Sequence, residues 1–219
     1  MEEILDLYEK PYDRKQPVVC LDECSIEIHD EKALPIEAKP GKIKKEDYEY
    51  IRKGMCSVFV VVEPLRGKRW GIVSGKRGKA EFVEVLRKII EEWYGEEEVT
   101  KIHLVIDNLN THKESLLYEY LEAERARENI KRLEVHYTPV HGSWLNMAEI
   151  EIGALMTQSL RRRIKSVEML KEELRTCVEE RNKESKGIQW EFTKGKAREK
   201  LGRHYPKVRK EYVPSEFIS

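Results

Sequence analysis

Three carboxylates stand where the 219-residue sequence changes character. Pro17-Val18-Val19-Cys20-Leu21 is an apolar run ending on Asp22, and Ile102-His103-Leu104-Val105-Ile106 is another ending on Asp107. A helical pattern over 144–160 carries Glu149. Short apolar runs read as buried strands, and strand ends are where an α/β sheet opens a crevice for ligands. If the two strands are neighbours, Asp22 and Asp107 face each other, and carboxylates held that close repel unless a divalent cation lies between them. A third carboxylate from a helix beside the sheet completes oxygen ligation for a metal pair. Two ions about 4 Å apart suit in-line displacement at phosphorus, one activating the attacking oxygen and the other stabilising the leaving one. One Asp at a strand end is ordinarily a turn or cap residue, so the inference rests on all three together.

The neighbours of these acids divide by geometry. Glu149 and Glu151 are about 200° apart around a helix, so only one can face the metals. The apolar stripe Ala148, Ile152, Leu155 and Met156 must face the sheet. That places Glu149 at the margin able to lean over the strand ends, and sends Glu151 to solvent or to a basic neighbour. Asn146 lies one turn before Glu149 on the same side. Asn108 and His112 follow the second acid and could touch a metal's water or a phosphate; for Asn108 loop hydrogen bonding is an equal alternative, and for His112 a polar surface position is favoured over a general base, which a two-metal site does not need. Glu23 points to the opposite side of the strand from Asp22. Trp144 reads as a packing residue at the helix start, and His141 as a loop residue.

The elements that must position these groups can be read from periodicity. The alternation Cys24, Ile26, Ile28 can carry the first strand past Asp22. Residues 31–54, with Pro35, Pro40 and Gly41 among charges, read as a loop. Strands follow over 57–62 and 69–73, joined by a turn. Helices are expected over 80–94, 114–126, 144–160 and 167–181, and a strand over 133–137. The class is α/β.

Forty-one Lys and Arg balance forty-one Asp and Glu, so net charge by itself suggests no polyanionic partner. Their distribution does. Nine bases face two acids from Lys186 to Lys210, Arg161-Arg162-Arg163-Ile164-Lys165 is a second basic block, and Arg66 to Lys79 a third. Such segregation favours a phosphate-binding surface over a uniformly solvated one. No apolar run approaches a membrane span, and the acidic start MEEILDLYEK is unlike a signal peptide. Cys20, Cys24, Cys56 and Cys177 make no CxxC pair, which reads as buried thiols in a reducing cytoplasm. A zinc protein built from His136, His141 and the cysteines lacks a suitable spacing.

Three stretches carry a family resemblance: Leu21-Asp22-Glu23; Leu104-Val105-Ile106-Asp107-Asn108-Leu109-Asn110-Thr111-His112-Lys113; and His136-Tyr137-Thr138-Pro139-Val140-His141-Gly142-Ser143-Trp144-Leu145-Asn146-Met147-Ala148-Glu149. They closely resemble the DDE transposases, and within them the bacterial and archaeal insertion-sequence six-thirty group, cousins of the mariner elements. The resemblance implies a ribonuclease-H-like fold, a mixed five-stranded sheet in the order β-β-β-α-β-α-β-α with flanking helices. It further implies DNA strand cleavage and strand transfer, two Mg2+ ions replaceable by Mn2+, and a homodimer on DNA comprising element ends and target duplex. By motif position, Asp22, Asp107 and Glu149 are its metal-binding catalytic acids, with Asn108, His112 and Asn146 as outer neighbours. Arg161, Arg162, Arg163 and Lys165, at the exit of the Glu149 helix, are expected to touch DNA.

The expected organisation is a linker or N-terminal extension over 1–16, a catalytic domain over 17–185 and a basic tail over 186–219. Transposases of this group begin with a helix-turn-helix region absent from this sequence. The expectation is therefore a catalytic domain alone in a prokaryotic cytoplasm, either an excised or split reading frame or a truncated remnant. A ribonuclease H or junction resolvase also uses clustered acids but lacks the Thr-Pro-x-x-x-Ser-Trp-Leu-Asn-x-x-Glu run. The alternative from another class is a non-catalytic remnant that binds DNA or pairs with an intact transposase; the intact triad argues against it.

Overall fold

The computed structural model describes residues 1–32, 40–41, 49–109, 111–160 and 162–205. Arg161 and Asn110, most of the expected 31–54 loop and the tail beyond 205 lie outside the described residues.

Five strands form one mixed sheet in the order β3-β2-β1-β4-β5: β1 Val18–Glu31, β2 Tyr50–Glu63, β3 Lys68–Ser74, β4 Ile102–Ile106 and β5 Leu133–Tyr137. The first three run antiparallel, while β4 and β5 are parallel to β1. β1 does not end on Asp22. Its ladder with β4 stops at Cys20↔Val105, but pairing with β2 continues through Asp22↔Val60 to Glu31↔Tyr50. The antiparallel partner satisfies the backbone beyond Asp22, so Cys24, Ile26 and Ile28 do continue the strand. Both ends of the expected 31–54 loop accordingly belong to a long hairpin.

Helices α2 (Lys79–Arg87), α3 (Leu117–Tyr120) and α4 (Ala123–Arg132) supply one layer, with Phe82, Leu86, Ile89, Leu117 and Ala126 packed against Leu21, Leu104 and Ile106. The expected single helix over 114–126 is broken at Leu121, whose backbone is extended. Leu117 and Leu121 repeat with helical spacing, but the five-residue step to Ala126 misses that repeat by roughly 140°. The break turns the second apolar stripe back to the sheet.

The opposite face carries α1 (Glu2–Glu9), α5 (Met147–Leu155), α6 (Val167–Glu184) and α7 (Lys194–Leu201). The segments read as linker and tail are built into this layer. Ile4, Leu5 and Leu7 of α1 are buried with Cys20, Val105 and Ala148, and Ile188, Trp190, Phe192 and Ala197 pack on the same cluster. Domain limits at 16 and 186 therefore do not coincide with edges of the core. The stripe of α5 packs as its period requires, Ala148 in one cluster and Leu155 with Ile152 and Met156 in the next. Edge strand β3 is covered by α6: the Asn182 amide donates to Arg69 O and accepts from Arg69 N, both at 2.8 Å. Covering an edge in this way removes its unpaired backbone groups from solvent. Cys20, Cys56 and Cys177 are buried free thiols and Cys24 is half-buried. Among the described residues no helix is long and apolar enough to cross a membrane.

Candidate active site

Side chains two residues apart on a strand share a face. Cys20 and Val105 face the α5 layer, so Asp22 and Asp107, each two residues further on, face it too. They stand where β4 ends and β1 is left with a partner on one side only, an open flank created by unequal strand lengths. The start of α5 crosses this point. Asn146 caps the helix by accepting from Ala148 N at 3.2 Å, and its amide donates to Leu21 O at 2.9 Å. That pair of bonds fastens the helix beside Asp22 and holds Glu149 in its first turn. Asn146 is fully buried, and its amide is used for anchoring.

Asp22 accepts from Glu23 N at 2.8 Å and Asp107 from the Thr138 hydroxyl at 3.0 Å. Burial pushes the Asp22 pKa up to about 7, with the carboxylates of Asp107, Glu23 and Glu149 adding to the rise against the Glu23 N–H bond. An all-carboxylate donor set fits a hard divalent cation. The three are more open than a single-ion cage: among the described residues, only His103, Glu134 and His136 bring three ligand atoms within 4.8 Å of one another.

A proton-linkage consequence can be measured. With a folded pKa of about 7 against an ordinary 3.8, the folded state of Asp22 binds more protons than the unfolded state between those values. Metal-free stability from this group is thus present at low pH and falls as pH rises from about 4 to about 7. A metal held by Asp22 would need the ionised carboxylate, so if Asp22 is a ligand Mn2+ should raise Tm far more at about pH 8 than at about pH 5. Equal metal shifts at the two pH values in thermal melts would contradict this.

The other sequence candidates fall as follows. Glu23 points away from Asp22 and is 1% exposed at its side chain, 3.2 Å from His112 Nε2 and 2.5 Å from Arg77. Burial alone would raise its pKa, but His112 and Arg77 hold it below the usual range. His112 is buried and stacks on Phe82 with centroids 4.7 Å apart, so a surface position for it is overturned. Its charged partner is Glu23, on the far side of the strand from Asp22. Asn108 accepts from Lys113 Nζ at 2.9 Å. Trp144 stacks parallel to Trp190 at 6.4 Å and meets Phe192 edge-on. His141 is an exposed turn residue at φ 63°.

Glu151 does not reach solvent; it finds basic neighbours in the interior. Its side chain is 1% exposed, 2.8 Å from Arg69 Nε and 3.0 Å from Arg181 Nη2. Arg69 is itself buried and donates to Gly67 O and Lys186 O. This network ties α5 to β3 and α6, and with Asn146 it fixes the rotation of the helix that presents Glu149. Sequence reasoning missed both arginines because nothing in chain spacing links residues 69, 151 and 181. In the basic block, Arg162 pairs with Glu173 and Lys165 with Glu31.

A mixed sheet of three antiparallel strands continued by two parallel ones, with helices on both faces and acids at the β1–β4 junction, defines a ribonuclease-H-like domain. Residues 17–171 match the sequence profile of the DDE superfamily endonucleases, and the chain belongs to that family. No curated protein matches it. Among solved structures it is similar to the Mos1 mariner paired end complex with Mn, at TM-score 0.51 and 17% identity over 82% of this chain and 52% of that one. It is likewise similar to the Mos1 Strand Transfer Complex, at TM-score 0.54 and 16% identity over 81% and 51%. The chain thus spans about half the length of each.

Proposed function

We propose that this chain is the catalytic part of a mariner-like DNA transposase that cuts and joins DNA strands, with Asp22, Asp107 and Glu149 binding two divalent ions. The observation that carries the reading is the placement of Asp22 and Asp107 on one face at the β1–β4 junction, with the anchored start of the Glu149 helix beside them, in a chain of the DDE endonuclease family. Asp22 and Asp107 are held by backbone and Thr138 bonds, and Glu149 is set by the anchored start of α5. Bound there, Mg2+ or Mn2+ would supply Lewis-acid activation of the attacking and leaving oxygens at phosphorus. Asp22, Asp107 and Glu149 would hold the ions, and the open flank of β1 would leave room for the phosphodiester. The structural neighbours were solved as paired-end and strand-transfer complexes, which supports element ends and target DNA as substrates. A homodimer on DNA, an insertion-sequence origin of the six-thirty type and a prokaryotic cytoplasm belong to the same reading, as do Asn108 and Asn146 as outer neighbours of the acids, whereas His112, paired with Glu23 on the opposite face, does not.

Nicking of supercoiled plasmid tests it. The chain should nick with Mg2+ or Mn2+ and stop with a chelator. Metal-dependent nicking that persists at the wild-type rate in Asp107→Asn would overturn the assignment, and DNA binding with no nicking would make the chain a non-catalytic remnant.

Arg161, Arg162, Arg163 and Lys165 belong to the proposed DNA surface. Each phosphate neutralised adds about −0.9 to the slope of log affinity against log salt. Since Arg162 and Lys165 already hold carboxylates, they must exchange partners to contribute. Changing all four to Ala should flatten the slope by about 2–4. An unchanged slope in a salt titration would show a solvated face only.

A further inference from the structure

At the other end of β4 from Asp107, His103 and His136 face the α1 layer from adjacent parallel strands. Four residues along a strand place this pair about 13 Å from the open flank at Asp107. His103 Nδ1 and His136 Nε2 lie 3.1 Å apart, and one oxygen of Glu134 lies 3.7 Å from each. The two histidine side chains are 7% and 5% exposed, while the Glu134 side chain is half-exposed at 51%.

We propose that His103 Nδ1, His136 Nε2 and Glu134 Oε1 form a second metal site, for a zinc-class transition ion, with solvent as the fourth ligand. An ion bonded to nitrogen at 2.0–2.1 Å in a tetrahedron holds its donors about 3.3–3.4 Å apart. The observed separations, 3.1, 3.7 and 3.7 Å, bracket that value. Imidazole donors select zinc-class ions over Mg2+, so this site and the carboxylate triad would take different metals. The outer contacts are those a metal-binding histidine needs. His136 Nδ1 lies 2.6 Å from Glu3 Oε1 on α1. A carboxylate there only accepts, so that nitrogen carries the proton and leaves Nε2 free to ligate. His103 Nε2 faces Gln16 Oε1 at 3.4 Å. In the metal-free pair one proton is shared between the rings; on metal binding the His103 proton moves to Nε2, towards Gln16, and Nδ1 becomes a ligand. Lys10 and Lys101 oppose a cation here and Glu134 and Glu3 favour one. The ion would join β4 and β5 directly and reach α1 and the Gln16 segment through their outer hydrogen bonds. Chain spacing gave no sign of it, because the rings are 33 residues apart.

Equilibrium dialysis of the full chain against Zn2+ in a large excess of Mg2+ tests the site, with Co2+ as a visible probe of four-coordination. Wild type and Asp107→Asn should each retain one zinc, and His136→Ala should lose it. Because a buried histidine can matter to folding, Glu134→Gln and Glu3→Gln are the companion variants, with circular dichroism as the fold check. Glu3→Gln should weaken zinc about 10- to 100-fold, and Glu134→Gln at least as much. Absence of zinc from wild type, affinity unchanged in folded Glu134→Gln and Glu3→Gln, or zinc lost in Asp107→Asn but kept in His136→Ala would each overturn the proposal.

Discussion

Glu149→Gln should lower metal-dependent DNA nicking by about 10³-fold while leaving duplex affinity close to wild type. Gln preserves the volume and the anchored start of α5 but removes the charge that would help hold an ion. Loss of several kcal/mol of transition-state stabilisation by a metal corresponds to that factor, at about 1.4 kcal/mol per tenfold. Asn146 continues to cap the helix and bond Leu21 O, so the fold should survive. Without metal, removing one of the carboxylates that raise the Asp22 pKa should leave stability unchanged or slightly higher. Rates from plasmid nicking and affinities from fluorescence anisotropy check the two halves separately. Full activity in Glu149→Gln would place the third metal ligand elsewhere.

Glu151→Gln should behave in the opposite way, as a stability variant. It leaves the buried Arg69 guanidinium and the partly buried Arg181 without the carboxylate between them. Breaking a buried ion pair by removing one partner typically costs about 3–5 kcal/mol. In a chain of this size that is a Tm fall of roughly 10 °C. Below its lowered Tm, the variant should nick at close to the wild-type rate per folded molecule. Thermal melts with and without Mn2+ decide it. A wild-type Tm would mean that the Arg69–Glu151–Arg181 network contributes nothing net.

The comparison of these two glutamates shows where sequence reasoning reaches and where it stops. Helical period separates Glu149 from Glu151 and identifies the stripe Ala148, Ile152, Leu155 that packs. Period cannot tell that the opposite margin of the helix is interior, because that depends on α6 and β3 arriving from distant parts of the chain. Strand identity was legible from apolar runs, yet the continuation of β1 past Asp22 depends on its pairing with β2. The acids were legible as residue types at run ends; their meeting required the parallel register Cys20↔Val105. The roles of residues 1–16 and 186–205 were not legible. Short amphipathic segments such as Ile4, Leu5, Leu7 and Ile188, Trp190, Phe192 look like linker or tail until the apolar face they cover is known.

Locating manganese shows whether Asp22, Asp107 and Glu149 together hold two catalytic ions. Anomalous diffraction from crystals of the full chain soaked in Mn2+ should give two peaks about 3.5–4 Å apart, between those three carboxylates and beside the open flank of β1. Both peaks should weaken or vanish in Asp107→Asn. Manganese bound elsewhere, with none at the β1–β4 junction in crystals that nick DNA when dissolved, would contradict the account.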